Sequence, residues 1–483
     1  MSAVDERVST GIDGLDEILQ GGLIADRNYM IRGPPGAGKT ILAFHFLSAG
    51  VAADETVLFI NLEEDIDDLK ANAASLGMET DDIHFLDLSP SAEVFTEDES
   101  YDVFPASEVE QEPFTAQVLG RVEEVNPDRV VVDPLTQLRY LTSGEYQFRK
   151  QVVGFMRFLK DRGATVLFTT QRTESVSTED LQFISDGSIL LDIEPDGRFI
   201  AVPKFRGSPT LSGTHTFRID GSGLHVFPEL QPGDHRTEFE PESLPSDVDA
   251  VDDMLHGGIE RGTTTIIGGS TGVGKTTLGT QFMSAAAGRG ERSVIYLFEE
   301  NKDTFVERSE SIGIPVTEME ERGTLEIEEV EALEQSPQEF AGRVRAEVEN
   351  RDADIVMVDG IAGYRLTLQG RDELTLKHLH ALGRYLNKMG VTTIFVDETP
   401  DVAGQFRPTS ENISYLADNI VFLRHLEIKG ELQKAVGVLK KRTTDFERLL
   451  RQFQITDEGI SVGEPLTNLR GVLTGTPEVS NEN

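Results

Sequence analysis

The feature that most constrains this chain is a duplication. GPPGAGKT (Gly33–Thr40) returns as GSTGVGKT (Gly269–Thr276), 236 residues later (269 − 33 = 236). STGIDGLDEILQGGL (Ser9–Leu23) returns more loosely as PSDVDAVDDMLHGGI (Pro245–Ile259), with Gly22 and Gly258 in the same register. Glu63 and Glu299 keep that register, as do Lys204 with Lys440 and Arg206 with Arg442. Four matched blocks mean a tandem repeat of one domain of roughly 230 residues, a size that suits a single α/β unit. The expected divisions are a first domain over 1–230, a linker over 231–243, a second domain over 244–468 and a weakly ordered tail over 469–483. The linker, QPGDHRTEFEPES, is polar, carries Pro and Gly, and has no apolar periodicity.

Within each copy, short β-branched runs alternate with amphipathic helical stretches. YMIRG leads into the first Gly-rich loop and TTIIGG into the second. RVVVDP (Arg129–Pro134) and DIVMVDG (Asp354–Gly360) are buried-strand runs that reach an Asp, and ATVLFTT (Ala164–Thr170) and VTTIFVD (Val391–Asp397) follow further helices. This alternation predicts an α/β fold in which a mostly parallel central sheet is flanked by helices on both faces. The tracts after Ile189 and Ile420 read instead as shorter strands and hairpins, with turn signals such as EPDGR.

Both Gly-rich segments satisfy G-x-x-x-x-G-K-[ST], and each stands between a strand and a helix, the context the motif requires. Glycines let the backbone wrap phosphate oxygens, while N–H groups and the helix N-terminus supply positive potential. The expected nucleotide contacts are Gly33, Gly36, Ala37, Gly38, Lys39, Thr40 and Ile41 in the first copy. In the second they are Gly269, Thr271, Gly272, Val273, Gly274, Lys275, Thr276 and Thr277. Lys39 and Lys275 would reach the β- and γ-phosphates of ATP. Thr40 and Thr276 would place a hydroxyl on Mg²⁺. Asp133 and Asp359, ending apolar strands expected beside each loop, would complete the metal site directly or through water.

A third polar element stands after the strand that follows each P-loop helix. VLFINLEED (Val57–Asp65) ends in acid, and VIYLFEENKD (Val294–Asp303) repeats it. Ligands of an open α/β sheet bind beyond the carboxyl ends of its strands. A Glu there can polarise the attacking water or hydroxyl. Glu63, Glu64, Glu299 and Glu300 are therefore the candidate catalytic carboxylates. Adjacent residues on a strand end point to opposite sides, so one of each pair does the chemistry and the other supports it, with the choice open. Asp65 is matched by Asn301 and reads as solvated loop.

Composition narrows the setting. Acidic residues number 85 against 44 basic ones, for a net charge of −41 spread through both halves. Dense carboxylates of this kind suit a salt-rich cytoplasm, where screening removes much of their repulsion. There is no basic stripe or tail, so a general nucleic-acid footprint is absent. The chain has no Cys, which excludes disulfides and Cys-ligated metals, and its nine His show no metal-ligand spacing. No apolar run approaches the roughly 20 residues that span a bilayer, and MSAVDERVSTGID has no secretory character. A cytoplasmic protein is expected.

The duplicated P-loop, the E-E pair, the strand Asp, FISD/LADN and a late K-x-R together resemble the KaiC family of clock and signalling ATPases. The likeness runs from about Val8 to Thr476. It implies two tandem RecA-like P-loop NTPase domains, and, with the acidic composition, a halophilic archaeal source. It further implies a homohexameric double ring with ATP at subunit interfaces. Lys204, Arg206, Lys440 and Arg442 would then act in trans on a neighbour's ATP phosphates, which makes hydrolysis depend on assembly. The family's second domain phosphorylates itself on adjacent Ser and Thr. In RPTSENISYLADN (Arg407–Asn419), Ser414 falls on the serine position, Tyr415 replaces the threonine, and Thr409 matches a further family threonine. Thr409 and Ser414 are thus the candidate phosphosites of a Ser/Thr autokinase. Ser185 stands in the first copy's DLQFISDGS and is not expected to be a phosphosite. The family's longer regulatory tail has no counterpart after GTPEVSNEN, so a partner gripping it is not expected. Arg172 is placed to sense the γ-phosphate, and Arg139 and Arg365 lie six residues after each Asp; for each of these arginines a surface ion pair is the equal alternative. The expected function is an ATP-driven signalling or timing switch. The alternative is a DNA-acting RecA-type ATPase, a recombinase or helicase relative, against which the acidic stretch Ser89–Pro113 argues. A catalytically weak nucleotide-binding scaffold is the third reading.

Overall fold

The computed structural model describes residues 6–89, 111–139, 144–171, 179–195, 197–231, 242–367, 372–399, 409, 413–428, 430–467, 469–470 and 478–479. The chain divides into two units, Met1–Glu229 and Leu230–Asn483. Each is built on one nine-stranded sheet.

Across the first sheet the order is Gly223–Phe227, His215–Asp220, Gly197–Phe205, Gly187–Glu194, Asn28–Gly33, Thr165–Gln171, Arg129–Asp133, Val57–Asn61 and His84–Asp87. From Gly187–Glu194 onward the strands run parallel, and the first three form an antiparallel edge. The second sheet repeats the plan: Gly459–Pro465, Arg451–Thr456, Glu431–Lys441, Asn419–Ile428, Thr264–Gly269, Thr392–Glu398, Ile355–Asp359, Ser293–Leu297 and Leu325–Glu329. This is the expected α/β architecture of two RecA-like P-loop domains in tandem.

Burial on both faces explains the composition of the parallel strands. Val57 and Phe59 enter one apolar cluster with Leu42 and Phe46, while Leu58 and Ile60 enter another with Val130 and Phe168. In the second unit, Ile295 and Leu297 face one cluster and Val294 and Tyr296 the other. Side chains alternate along a strand, so a strand covered on both sides reads as a continuous apolar run. Each large side chain so buried contributes about 1.5–3 kcal/mol.

The antiparallel edges correct one expectation. The tracts after Ile189 and Ile420 form hairpins, but not short ones. Gly187–Glu194 and Gly197–Phe205 have 8 and 9 residues, and Asn419–Ile428 and Glu431–Lys441 have 10 and 11, against 5 in Val57–Asn61. Their distal halves are partly exposed, so alternation of polar with apolar residues lets them extend past the helix-covered block. In the tail, Leu469 and Arg470 pair antiparallel with Val479 and Glu478.

Candidate active sites at the two phosphate loops

Each Gly-rich loop follows a buried strand and opens a 14-residue helix, Lys39–Ala52 and Lys275–Gly288. Gly38 and Gly274, at the helix N-caps, take φ of 94° and 111°, left-handed values that side chains disfavour. A Cβ at either would also meet Ile219 Cδ1 or Ile455 Cδ1 at 2.7 Å. Neither helix has a side-chain cap or an acidic residue in its first turn. On so acidic a chain, that leaves the N–H groups and the positive end of each helix dipole open to an anion.

Lys39 Nζ donates to Gly33 O (3.1 Å) and Pro34 O (2.9 Å), and Lys275 Nζ donates to Ser270 O (3.0 Å). Burial pulls both ammonium groups below their usual range. Asp133 and Glu63 oppose this at Lys39, whereas Glu398, Asp359, Glu299 and Asp397 do so at Lys275.

Thr40 Oγ1 donates to Asp133 Oδ2 (2.7 Å), and Thr276 Oγ1 donates to Asp359 Oδ1 (3.1 Å). A hydroxyl beside a carboxylate is a hard-oxygen donor set that fits Mg²⁺, which takes few protein ligands and completes its shell with phosphates and water. No group of three or more His, Cys, Asp or Glu among the described residues forms an all-protein metal cage. Burial pushes the Asp133 carboxyl up, and the Asp359 carboxyl up to about 7. Asp133 also accepts from Thr169 Oγ1. The parallel register puts Val396 in the matching place beside Asp359, so the second carboxylate lacks that hydroxyl.

The strands before the acidic pairs end at Asn61 and Leu297, so Glu63, Glu64, Glu299 and Glu300 stand in the bends that follow. The opposite-sides expectation for a strand end therefore does not apply, and local bonding separates the residues instead. Glu299 Oε1 accepts from Gly363 N (3.3 Å) and its Cγ lies 2.7 Å from where a Cβ on Gly360 would stand. Desolvation pushes Glu299 up, only partly offset by the Gly363 N–H and Lys275. Glu300 is held in a bidentate pair with Arg308 (2.6 and 3.0 Å). In the first copy, Gln171 Nε2 donates to Glu63 Oε2 (2.8 Å) and Oε1 (3.2 Å). Desolvation, with Asp133 next, pushes Glu64 up.

Asp65 and Asn301 correct the solvated-loop reading. Asp65 caps helix Ile66–Ser75, accepting from Asp67 N (2.9 Å), and Asn301 caps Lys302–Ser311, accepting from Thr304 N (2.8 Å). A cap needs an oxygen, not a charge, so Asp and Asn do the same work.

The K-x-R residues lie at the opposite end of each sheet. Lys204 pairs with Ser188, which pairs with Met30, three residues before Gly33 and so about 10 Å along the strand. Lys440 pairs with Ile420, which pairs with Ile266, three before Gly269. Lys204 Nζ donates to Gln182 O and to Ser185 O (2.5 Å), and Lys440 Nζ to Ser414 O (3.2 Å) and Ala417 O (2.6 Å). Arg206 lies 3.7 Å from Asp186, and Arg442 donates to Asp418 (2.8 Å). These side chains do not reach their own chain's phosphate loops. The same contacts align Ser414 with Gln182 and Ser185 with Ala417, so Ser185 is not the counterpart of Ser414. Ser414 is exposed at this end, Thr409 is buried, and exposed Tyr415 stacks on His380 at 5.8 Å. Arg139, a largely buried side chain, pairs with Glu145 (2.9 Å) and lies over the Phe148 ring. Arg365 sits half-buried in helix Ile361–Leu366, and Arg172 lies outside the described residues.

Sequence reasoning missed Gln171, Glu398, Thr169 and Arg308. Gln171 and Glu398 each end a buried parallel strand beside the P-loop strand. The signal was a polar residue closing an apolar run, the same one that singled out Glu63.

The family model described as "ATPase: KaiC" matches the chain twice, over residues 8–231 and 244–467. The chain belongs to the KaiC family of ATPases. As a KaiC-family ATPase it is ATP-binding. It is similar over 98% of its length to the circadian clock oscillator protein KaiC of Acaryochloris marina, at 25% identity and covering 91% of that protein. The circadian clock protein KaiC3 of Synechocystis is 26% identical over 98% of this chain and 94% of its own. No helix among the described residues is long and apolar enough to cross a membrane.

Proposed function

We propose that this KaiC-family protein is a Mg²⁺-dependent ATPase and Ser autokinase. It works in the cytoplasm of a salt-adapted cell as a ring-forming signalling or timing switch. The observation that carries the metal-dependent reading is the pair of Thr–Asp bonds, Thr40–Asp133 and Thr276–Asp359, each beside a buried P-loop lysine. When bound, Mg²⁺ supplies charge neutralisation at the β- and γ-phosphates. Lys39 and Lys275 position those phosphates, and the uncapped helix ends orient them. Glu299 serves as the base that orients the nucleophile, because Glu300 is already committed to Arg308. Glu63 serves by its match to Glu299, with Glu64 in support.

Ring assembly is supported by the placement of Lys204, Arg206, Lys440 and Arg442 at the amino end of each sheet, remote from their own loops. There they serve a neighbour's nucleotide. Ser414 lies at that same end and is exposed, so a neighbouring chain's ATP phosphorylates it, while buried Thr409 is the poorer acceptor. The similarity to circadian clock proteins favours a timing role.

The test is ATP turnover by the full chain in Mg²⁺. Glu63→Gln with Glu299→Gln should abolish turnover while nucleotide still binds, and unchanged turnover would refute the assignment. Intact mass after incubation with Mg·ATP should show one added phosphate that Ser414→Ala removes.

A further inference from the structure

The two sites differ at one position beside the phosphate loop. The strand next to the P-loop strand ends in Gln171 in the first copy and Glu398 in the second, paired with Gly33 and Gly269 respectively. Gln171 turns to Glu63 and donates to both its oxygens. Glu398 turns the other way and accepts from Thr271 Oγ1 (2.5 Å), within the phosphate loop itself. The matching loop residue in the first copy is Pro35, which has no hydroxyl to offer. Thr271 and Glu398 thus form a latch that the first site lacks.

The charge environment follows. Among the carboxylates acting on Lys275, Glu398 acts most strongly, ahead of Asp359, Glu299 and Asp397. At Lys39 the carboxylates that act are Asp133 and Glu63 among the described residues. Neutral Gln171 adds nothing there. A carboxylate fastened to the loop and acting on its lysine does part of what a phosphate would do.

Resting on the reading of these loops as ATP sites, we propose that Glu398 is an affinity-setting residue of the second site. Its carboxylate stands in for nucleotide by holding Thr271 and placing negative charge at the loop, and incoming ATP must overcome it. The first site, with Gln171, has no such competitor.

The test uses the full chain with one site silenced. In Lys39→Ala protein the second site alone binds a fluorescent N-methylanthraniloyl-ATP with Mg²⁺. Adding Glu398→Gln should tighten that binding roughly tenfold at about 0.2 M KCl, and the gain should shrink at about 2 M KCl as charge is screened. A merely structural role would not show that salt dependence. In Lys275→Ala protein, the reciprocal Gln171→Glu should weaken the first site by a comparable factor. Glu398→Gln binding that is unchanged, weaker, or tighter by the same factor at both salt concentrations would overturn the proposal. Absence of nucleotide binding by the unaltered chain would instead overturn the phosphate-site reading, and this proposal with it.

Discussion

Glu299 and Glu300 are sequence neighbours whose chemistry is set by what each touches. Glu299 leans on the Gly360–Gly363 backbone and is raised by desolvation, the state of a carboxylate poised to handle a proton. Glu300 is charge-paired to Arg308. Glu299→Gln should lower turnover at the second site by about 100-fold or more, whereas Glu300→Gln should lower it far less; single-turnover hydrolysis in Lys39→Ala protein measures both. His45 gives a separate residue-scale expectation. Its Nε2 accepts from Leu224 N (2.9 Å), and burial pushes its pKa down. Unfolded His titrates near ~6.5, above the folded value, so this stability is present above that pH and is lost as pH falls. His215, accepting from Glu229 N, is shifted in the same direction by burial. Carboxyls raised by burial, Asp359 to about 7 among them, act in the opposite direction, so the histidine is read by difference: on going from pH 7.5 to 5.5 the melting temperature of His45→Gln should rise relative to that of the unaltered chain.

At the scale of elements, the helices that matter most to the site are the ones left uncapped, while those nearby are capped conventionally. Asp65→Ala and Asn301→Ala should each cost about 1 kcal/mol, and Asp65→Asn close to nothing, as measured by urea denaturation. Loss of activity without loss of stability in Asp65→Ala would contradict its role as a cap. The phosphate loops were legible in sequence because they are local: strand, glycine turn and helix are contiguous. The antiparallel edge strands were underestimated because their length depends on how far the neighbouring strand extends. The register was also only partly legible. The aspartates stand 226 residues apart (359 − 133 = 226), not 236, because more chain separates Asp87 from Arg129 than Glu329 from Ile355. Structural equivalence survives that shift because Leu62 N and Phe298 N make the same bond, to Asp133 O and Asp359 O.

At the scale of the molecule, charge dominates. With a net charge of −41, self-repulsion opposes the folded state at low ionic strength and is screened as salt rises. The midpoint of thermal unfolding should therefore rise from about 0.1 M to about 2 M KCl, followed by circular dichroism; a flat response would tell against salt adaptation. The duplication, the α/β class, the phosphate loops and the candidate Thr–Asp metal pairs all follow from motifs short enough to read along the chain. Other features depend on strand order. Parallel strands that touch are separated by whole helices, so Gln171 meets Glu63 across 108 positions, and Thr271 meets Glu398 across 127. Antiparallel hairpin returns carry Lys204 and Lys440 back toward the end of the sheet away from their own loops. No local pattern encodes such meetings, because they arise when buried apolar faces choose their neighbours.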